Sequence, residues 1–274
     1  MNEIDKNEAK KINLEVLKVI ADFCETNNIN YILSDGTLLG SIRHNGFIPW
    51  DMDIDISMLR SDYERFIKIW KDTKDYAIIH IGNNKNSNLA FAKVVDLHTR
   101  CIEGGVKTIK GGVWVDIFPL DAVPLEEPQI TDHYTKVCNF YNNYLISYIC
   151  KRRANILTKY AYKIFYAYRY HNIDFLLHSP KYFLNKMIAE STKYNNSGYK
   201  NVTNNMVIVR KNEKRKYGFP ITCITEYIYG DFENCKFRIP KDYDSLLRSY
   251  YGNYMELPPV EKQIDDHNSK FYRI

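Results

Sequence analysis

The chain has 274 residues, 45% of them hydrophobic, and a formal net charge of +5. That length suits one large domain or a core with an appended lobe, and no run approaches the ~18–20 consecutive apolar residues of a membrane span. The charged start MNEIDKNEAKK lacks the apolar segment of a secretory signal, so the expected location is the cytoplasm.

Taken in chain order, residues 5–26 predict a helix, with Ile12, Val16, Val19, Ile20 and Phe23 at helical spacing. A short strand is expected over Asn30–Leu33, then a brief helix over Thr37–Arg43 whose N-terminus follows Gly36. HNGF at 44–47 reads as a turn, with Gly46 supplying the backbone freedom. Asp51–Ser57 alternates polar and apolar residues and reads as a strand. Residues 61–71 predict a helix capped by Ser61, with Tyr63, Phe66, Ile67 and Trp70 as its apolar stripe. Strands are expected over Tyr76–Ile81, Ala90–Asp96 and Val113–Phe118, separated by paired glycines. Residues 129–195 change character and read mostly as helices rich in Tyr, Lys and Asn. A strand-like stretch spans about 203–238, and a closing helix runs between Asp242 as N-cap and Gly252 beyond its C-terminus.

Six cysteines, at 24, 101, 138, 150, 223 and 235, form no CxxC pair. In a reducing compartment they read as free core thiols. Two basic clusters stand out: Lys151, Arg152 and Arg153, and Lys211, Lys214, Arg215 and Lys216. From charge alone, a polyanion or acidic membrane surface and an ordinary solvated face carry equal weight.

The chemistry concentrates in SDGTLLGSIRHNGFIPWDMDIDIS at 34–57. On a strand, residues two apart share a face, so Asp51, Asp53 and Asp55 are expected to project together. Like charges that close repel unless a cation neutralises them. Hard divalent cations such as Mg²⁺ (or Mn²⁺) take carboxylate and phosphate oxygens. Upstream, Gly36 lets a phosphate approach the backbone, Thr37 offers a hydroxyl, and a helix N-terminus offers N–H groups. A phosphate turn followed by a metal-binding acidic strand is the layout of the nucleotidyltransferase fold. That layout expects a third carboxylate on a neighbouring strand, and VWVDIFPLD supplies Asp116. A buried acid among such apolar residues needs a partner. Asp96 and Asp121 are weaker candidates, the latter as a turn cap before Pro124.

With these residues in hand, the chain resembles the LicD family of phosphocholine transferases, related to the fukutin-type ribitol-phosphate transferases. The resemblance rests on residues 34–58, on VWVDIFPLDAVP at 113–124 and on IPKDYDSLLRSYYGNYMELPP at 239–259; nothing in 129–200 carries it. It implies an α+β fold: a nucleotidyltransferase-like mixed sheet with flanking helices and an inserted helical lobe. The expected division is 1–125 as catalytic core, 126–200 as a basic, aromatic helical lobe, and 201–274 completing the core; the composition of the lobe fits a face toward an acceptor or membrane, or an ordinary lobe packed on the core. It implies transfer of phosphocholine from CDP-choline to a sugar hydroxyl of a bacterial cell-surface glycan, with CMP leaving. CDP-ribitol or CDP-glycerol as donor, template-independent nucleotidyl transfer, and a non-enzymatic glycan-binding module are the alternatives.

Carried onto this sequence, Asp51, Asp53, Asp55 and Asp116 would be the metal-binding carboxylates, with Asp53, Asp55 and Asp116 catalytic. Gly36, Thr37, Arg43 and Lys93 are the candidate phosphate or nucleotide ligands. The general base is left open between Asp116 and Asp55; His44 and His267 are further candidate site residues, with no role assigned. A lipid-linked glycan is the expected acceptor, which agrees with a peripheral contact at the inner membrane face. No RNA-binding motif is present, so nucleic acid is not an expected partner. Trp50 and Trp114 beside the acids read as packing residues.

Overall fold

Asn2–Ile4 forms strand β1, and Asp5 then caps helix α1 (Lys6–Thr26), its carboxylate accepting from the Glu8 amide at 2.8 Å. The computed structural model describes residues 2–80, 89–103, 106–107, 112–152, 156–169, 173–205, 217–264 and 269–274. Along α1, Ala9, Asn13, Val16, Leu17, Ile20, Ala21 and Cys24 are buried, the one-sided stripe that fixes a helix on a core. There follow β2 (Ile32–Leu33), α2 (Asp35–His44), β3 (Ile54–Leu59), α3 (Arg60–Ile69), β4 (Tyr76–Ile79), β5 (Ala92–Asp96), β6 (Thr99–Glu103), β7 (Val106–Lys107) and β8 (Trp114–Val123). The helix expected from residue 61 begins at Arg60, with Leu59 in the cap position and no side-chain cap bond, so Ser61 is not its cap.

The chain divides into two compact units, residues 1–120 with 219–274 and residues 121–218. In the first, a mixed sheet runs in the order β2-β3-β8-β5-β4. β3 and β8 are parallel, and the other pairs are antiparallel. Every residue of β8 is buried, as expected of a strand covered on both faces. A second sheet has the order β1-β13-β6-β7, where β13 is Ser269–Arg273. Ile4, Ala9, Met52, Ala77, Ile79, Val95, Cys101, Val113, Trp114 and Phe271 share a core that joins α1 to strands of both sheets.

The second unit holds α4 (Gln129–Arg152), α5 (Ile156–Arg169), α6 (Asp174–Leu177), α7 (Pro180–Ser191) and β9 (Asn201–Thr203). β9 pairs antiparallel with Asp121–Val123. Asp121 is fully buried there and accepts from the side-chain amides of Asn195 at 2.9 Å and Asn205 at 3.5 Å. It is therefore a strand residue satisfied by two amides and not the expected turn cap.

Beyond β10 (Phe219–Pro220), the stretch expected to be strand-like resolves into α8 (Thr222–Thr225) and a hairpin of β11 (Tyr227–Phe232) and β12 (Cys235–Pro240). Helix α9 (Tyr243–Tyr251) has Asp242 accepting from the Ser245 amide at 3.4 Å and Gly252 beyond its end at φ +66°, as expected from the sequence. Among the described residues, Cys24, Cys101 and Cys223 are buried and Cys138 and Cys235 half-buried, and none of these is in a disulfide. Among those residues no helix is long and apolar enough to cross a membrane. Arg153, the basic run 211–216 and His267 lie outside the described residues.

Candidate active site

The acidic segment divides in two. Asp55 lies in β3, but Asp51 and Asp53 precede the strand, which begins at Ile54 and not at Asp51. The cause is a competing set of hydrogen bonds. The Asp51 amide donates to the Ile48 carbonyl at 2.9 Å, and the Asp51 carboxylate accepts from the Asp53 amide at 3.2 Å. From α1, Lys10 donates to the carbonyls of Ile48 and Pro49, and the Asn13 amide donates to the Met52 carbonyl at 2.9 Å. Aspartate bonding its own turn draws backbone away from a ladder, so the expected three-aspartate strand face is not formed.

Register assembles the rest. Asp55 on β3 is the lateral partner of Asp116 on β8, and Asp116 is the partner of Lys93 on β5. Two acids and one base thus form a row across three adjacent strands. Lys93 Nζ lies 2.9 Å from Asp116 Oδ1, with side-chain exposures of only 17% and 10%. The same ammonium sits 4.0 Å from the centre of the Trp114 ring and 5.6 Å from that of Phe91. Lys93 is therefore the partner that buried Asp116 requires, and Trp114 both packs in the core and faces that cation.

Asp55 is half-buried on β3, and its carboxyl is held well above the usual carboxylate range. Burial is the largest cause, followed by repulsion from Asp116, Asp35, Asp53 and Asp51. Asp35 was not among the expected site residues. Its signal in the sequence was position alone, directly before Gly36. Its backbone is also unusual, a non-glycine residue at φ +47°, a conformation that concentrates at functional sites.

Helix α2 carries the other candidates. The Thr37 hydroxyl is buried and accepts from the Asp55 amide at 2.8 Å; its own proton is available for donation. The Ser34 amide donates to the Asp55 carbonyl at 3.0 Å, so the first turn of α2 fixes Asp55 from both backbone sides. A Cβ on Gly36 would stand 2.7 Å from Asp51 Oδ2. The Asp51 carboxylate thus lies directly over the glycine, in the space that the sequence reserved for a phosphate.

Arg43 donates to the carbonyls of Tyr254 at 2.8 Å and Glu256 at 3.4 Å. It ties α2 to the C-terminal motif, and burial lowers its pKa. His44 meets Trp50 edge to face at 6.2 Å, and burial followed by repulsion from Arg43 lowers its pKa. In the turn beyond, Asn45 and not Gly46 takes the left-handed conformation, at φ +54°. Gly46 is needed for a different reason: a Cβ there would stand 2.3 Å from Glu233 Oε1. Glu233, at the hairpin tip, accepts from the Phe47 amide at 3.1 Å and donates its own amide to the Asn45 carbonyl at 2.9 Å. Asp96 accepts from the Thr99 hydroxyl at 2.7 Å, a local turn contact.

The donor chemistry around Asp55 suits a hard divalent cation, because carboxylate oxygens are what such ions take. As they stand, among the described residues, no three His, Cys, Asp or Glu side chains converge closely enough to hold one. Lys93 supplies the nearby positive charge in this arrangement.

Comparison with known proteins adds an independent line. Residues 28–146 match the family model described as LicD/FKTN/FKRP, nucleotidyltransferase domain. Over 285 aligned residues the chain is 28% identical to the lipopolysaccharide cholinephosphotransferase LicD of Haemophilus influenzae, covering 99% of each chain. A stretch of 77 residues is 38% identical to an uncharacterised protein of Rickettsia typhi, covering 27% of this chain and 25% of that one. Another of 91 residues is 34% identical to an uncharacterised protein of Rickettsia prowazekii, covering 26% of this chain and 34% of that one. The family match contains α2, β3, Lys93 and Asp116, and the Haemophilus relative extends the similarity to the motif that receives Arg43.

Proposed function

We propose that the chain, whose residues 28–146 match the LicD family model, is a transferase of that family and transfers phosphocholine from CDP-choline to a sugar hydroxyl of a bacterial cell-surface glycan carried on a lipid, releasing CMP. The observation that carries this reading is the row Asp55, Asp116 and Lys93 across three strands, set beside the first turn of α2. Full-length similarity to a lipopolysaccharide cholinephosphotransferase supports the choice of donor and acceptor class. The first unit is read as a nucleotidyltransferase-like core, because its mixed sheet places acids on two adjacent parallel strands behind a Gly-Thr helix start.

In the proposed reaction the acceptor hydroxyl oxygen attacks the phosphorus of the phosphocholine group. A new P–O bond forms, the P–O bond to the bridging oxygen breaks, and CMP leaves with that electron pair. The hydroxyl proton passes to a carboxylate. Asp55 is the better acceptor of the two candidates, because Asp116 is already paired with Lys93 at 2.9 Å. Asp116, paired with Lys93, holds the row in place. Thr37 fixes Asp55 through its amide and has a hydroxyl proton to donate to a phosphate oxygen.

Asp51, Asp53, Asp55 and Asp116 are the residues that would hold Mg²⁺ or Mn²⁺. Bound there, such an ion supplies positive charge against the diphosphate and the leaving CMP.

The test is CMP release from a panel of CDP-alcohols, with either ion or with EDTA, using lipid-linked glycan as acceptor and Asp53→Ala as control. Ion-dependent release from CDP-choline that disappears in Asp53→Ala is the expected result. Release only from CDP-ribitol or CDP-glycerol would replace the donor. A nucleotide-labelled acceptor would replace the reaction with nucleotidyl transfer.

A further inference from the structure

Helix α5 has its polarity reversed. Tyr160, Ile164, Phe165 and Tyr168 face outward, with exposures of 54%, 59%, 54% and 79%. Tyr162, Lys163, Tyr166 and Ala167 are half-buried. Lys163 donates to the carbonyls of Leu176 and His178 at 3.4 and 3.3 Å, while Tyr166 packs near buried Phe175. The exposed side of α5 is thus largely aromatic and aliphatic, with Arg169 at its end, while Lys163 reaches the last carbonyls of α6. The adjoining segment adds exposed Ile173 and Leu177, at 65% and 68%. Isolated exposed apolar residues are ordinary, but a contiguous face of this kind marks an interaction surface.

We infer that this face of α5, with the adjoining α6 segment, lies on the surface of an anionic lipid bilayer. Charge selects that occupant. From residue 156 to residue 186, leaving aside Lys163, which is engaged by α6, the sequence contains Lys159, Arg169, Lys181 and Lys186 against a single acid, Asp174. An apolar face within a basic segment suits a headgroup region that is negatively charged, where cationic residues near the surface add attraction. Exposed tyrosines fit that depth, with rings in the acyl boundary and hydroxyls among headgroups. The contact is peripheral, since no described helix can cross a membrane. It does not depend on the transferase reading.

The test is co-flotation of the full chain with vesicles of phosphatidylglycerol mixed with phosphatidylcholine, against phosphatidylcholine alone. Wild type is expected to float with the anionic vesicles and to be released by high salt. Ile164→Ser with Phe165→Ser should weaken partition by roughly a hundredfold. Arg169→Glu should weaken binding to anionic vesicles alone. Both positions face outward, and unchanged circular dichroism and melting would verify folding. Tyr168→Ser offers an independent removal of apolar contact if the double variant misfolds. Failure to float with any vesicle, or equal partition into neutral and anionic ones, would overturn the inference. So would undiminished binding by the folded variants. A concentration-dependent dimer dissolved by the same substitutions would also overturn it and assign the face to a second copy. CMP release measured without vesicles separates this outcome from failure of the transferase reading.

Discussion

Replacing Lys93 by methionine isolates the charge balance of the site. Methionine retains most of the stem that packs on Trp114 and Phe91 but removes the ammonium 2.9 Å from Asp116. Removing one member of a buried pair typically costs about 3–5 kcal/mol, because the other charge is left uncompensated. With 17% and 10% exposure remaining on the two side chains, water screens part of this, and a loss of about 2–4 kcal/mol is expected. For a protein of this size each kcal/mol moves the midpoint by about 2–4 °C, so the first unit should melt roughly 5–12 °C lower. Thermal melting in EDTA at neutral pH is the assay, since a divalent ion would substitute for the missing charge. Lys93→Met combined with Asp116→Asn should recover about half or more of the loss, because the orphaned acid is gone. An unchanged melting midpoint in Lys93→Met would refute the reasoning, as would a double variant no better than the single one.

Asp55→Asn should raise stability in EDTA at neutral pH while lowering turnover by roughly 10²–10⁴-fold if Asp55 takes the proton. The sign follows from linkage. The folded carboxyl holds its proton more tightly than the unfolded one, so stability is greatest in acid and declines as pH rises from the ordinary carboxylate range through the raised value. The variant should flatten that decline, and pH-dependent melts read it directly. Gly40→Ala should cost about 1–3 kcal/mol in urea unfolding, because its Cβ would stand 2.4 Å from the Gly46 carbonyl, which is backbone. Gly36→Ala meets the Asp51 carboxylate instead, so kcat/KM should fall with little change in melting; the opposite ranking of the two variants would count against the site. Arg43→Lys should lose about 1–2 kcal/mol, since a lysine ammonium ends one bond short of the guanidinium nitrogen that reaches both Tyr254 and Glu256.

What could be read in advance divides along the range of the interactions involved. Helix α1 and the caps of α9 depend on residues a few positions apart, and patterning located them; α2 begins at Asp35, two residues before its expected start at Thr37. The acidic triplet was read by the same local rule and came out differently. Alternation at 51–55 is a strand signal only where the carbonyls of that segment are free to pair, and Lys10 and Asn13, nearly forty residues upstream in sequence, engage those of Ile48, Pro49 and Met52. Asp116 was found because an acid in a wholly apolar run needs a partner, and Lys93 because its strand alternation turned it to one face. That the two answer each other, with Asp55 alongside, is a matter of strand register, and register is set by sheet order that no single segment encodes. The strands at the two chain ends, Asn2–Ile4 and Ser269–Arg273, escaped notice for the same reason. Each is short and polar; β1 becomes a strand by pairing with β13, and β13 by pairing with β1 and β6. Chemistry was legible wherever burial makes a charged side chain expensive; geometry became legible only once distant strands were side by side.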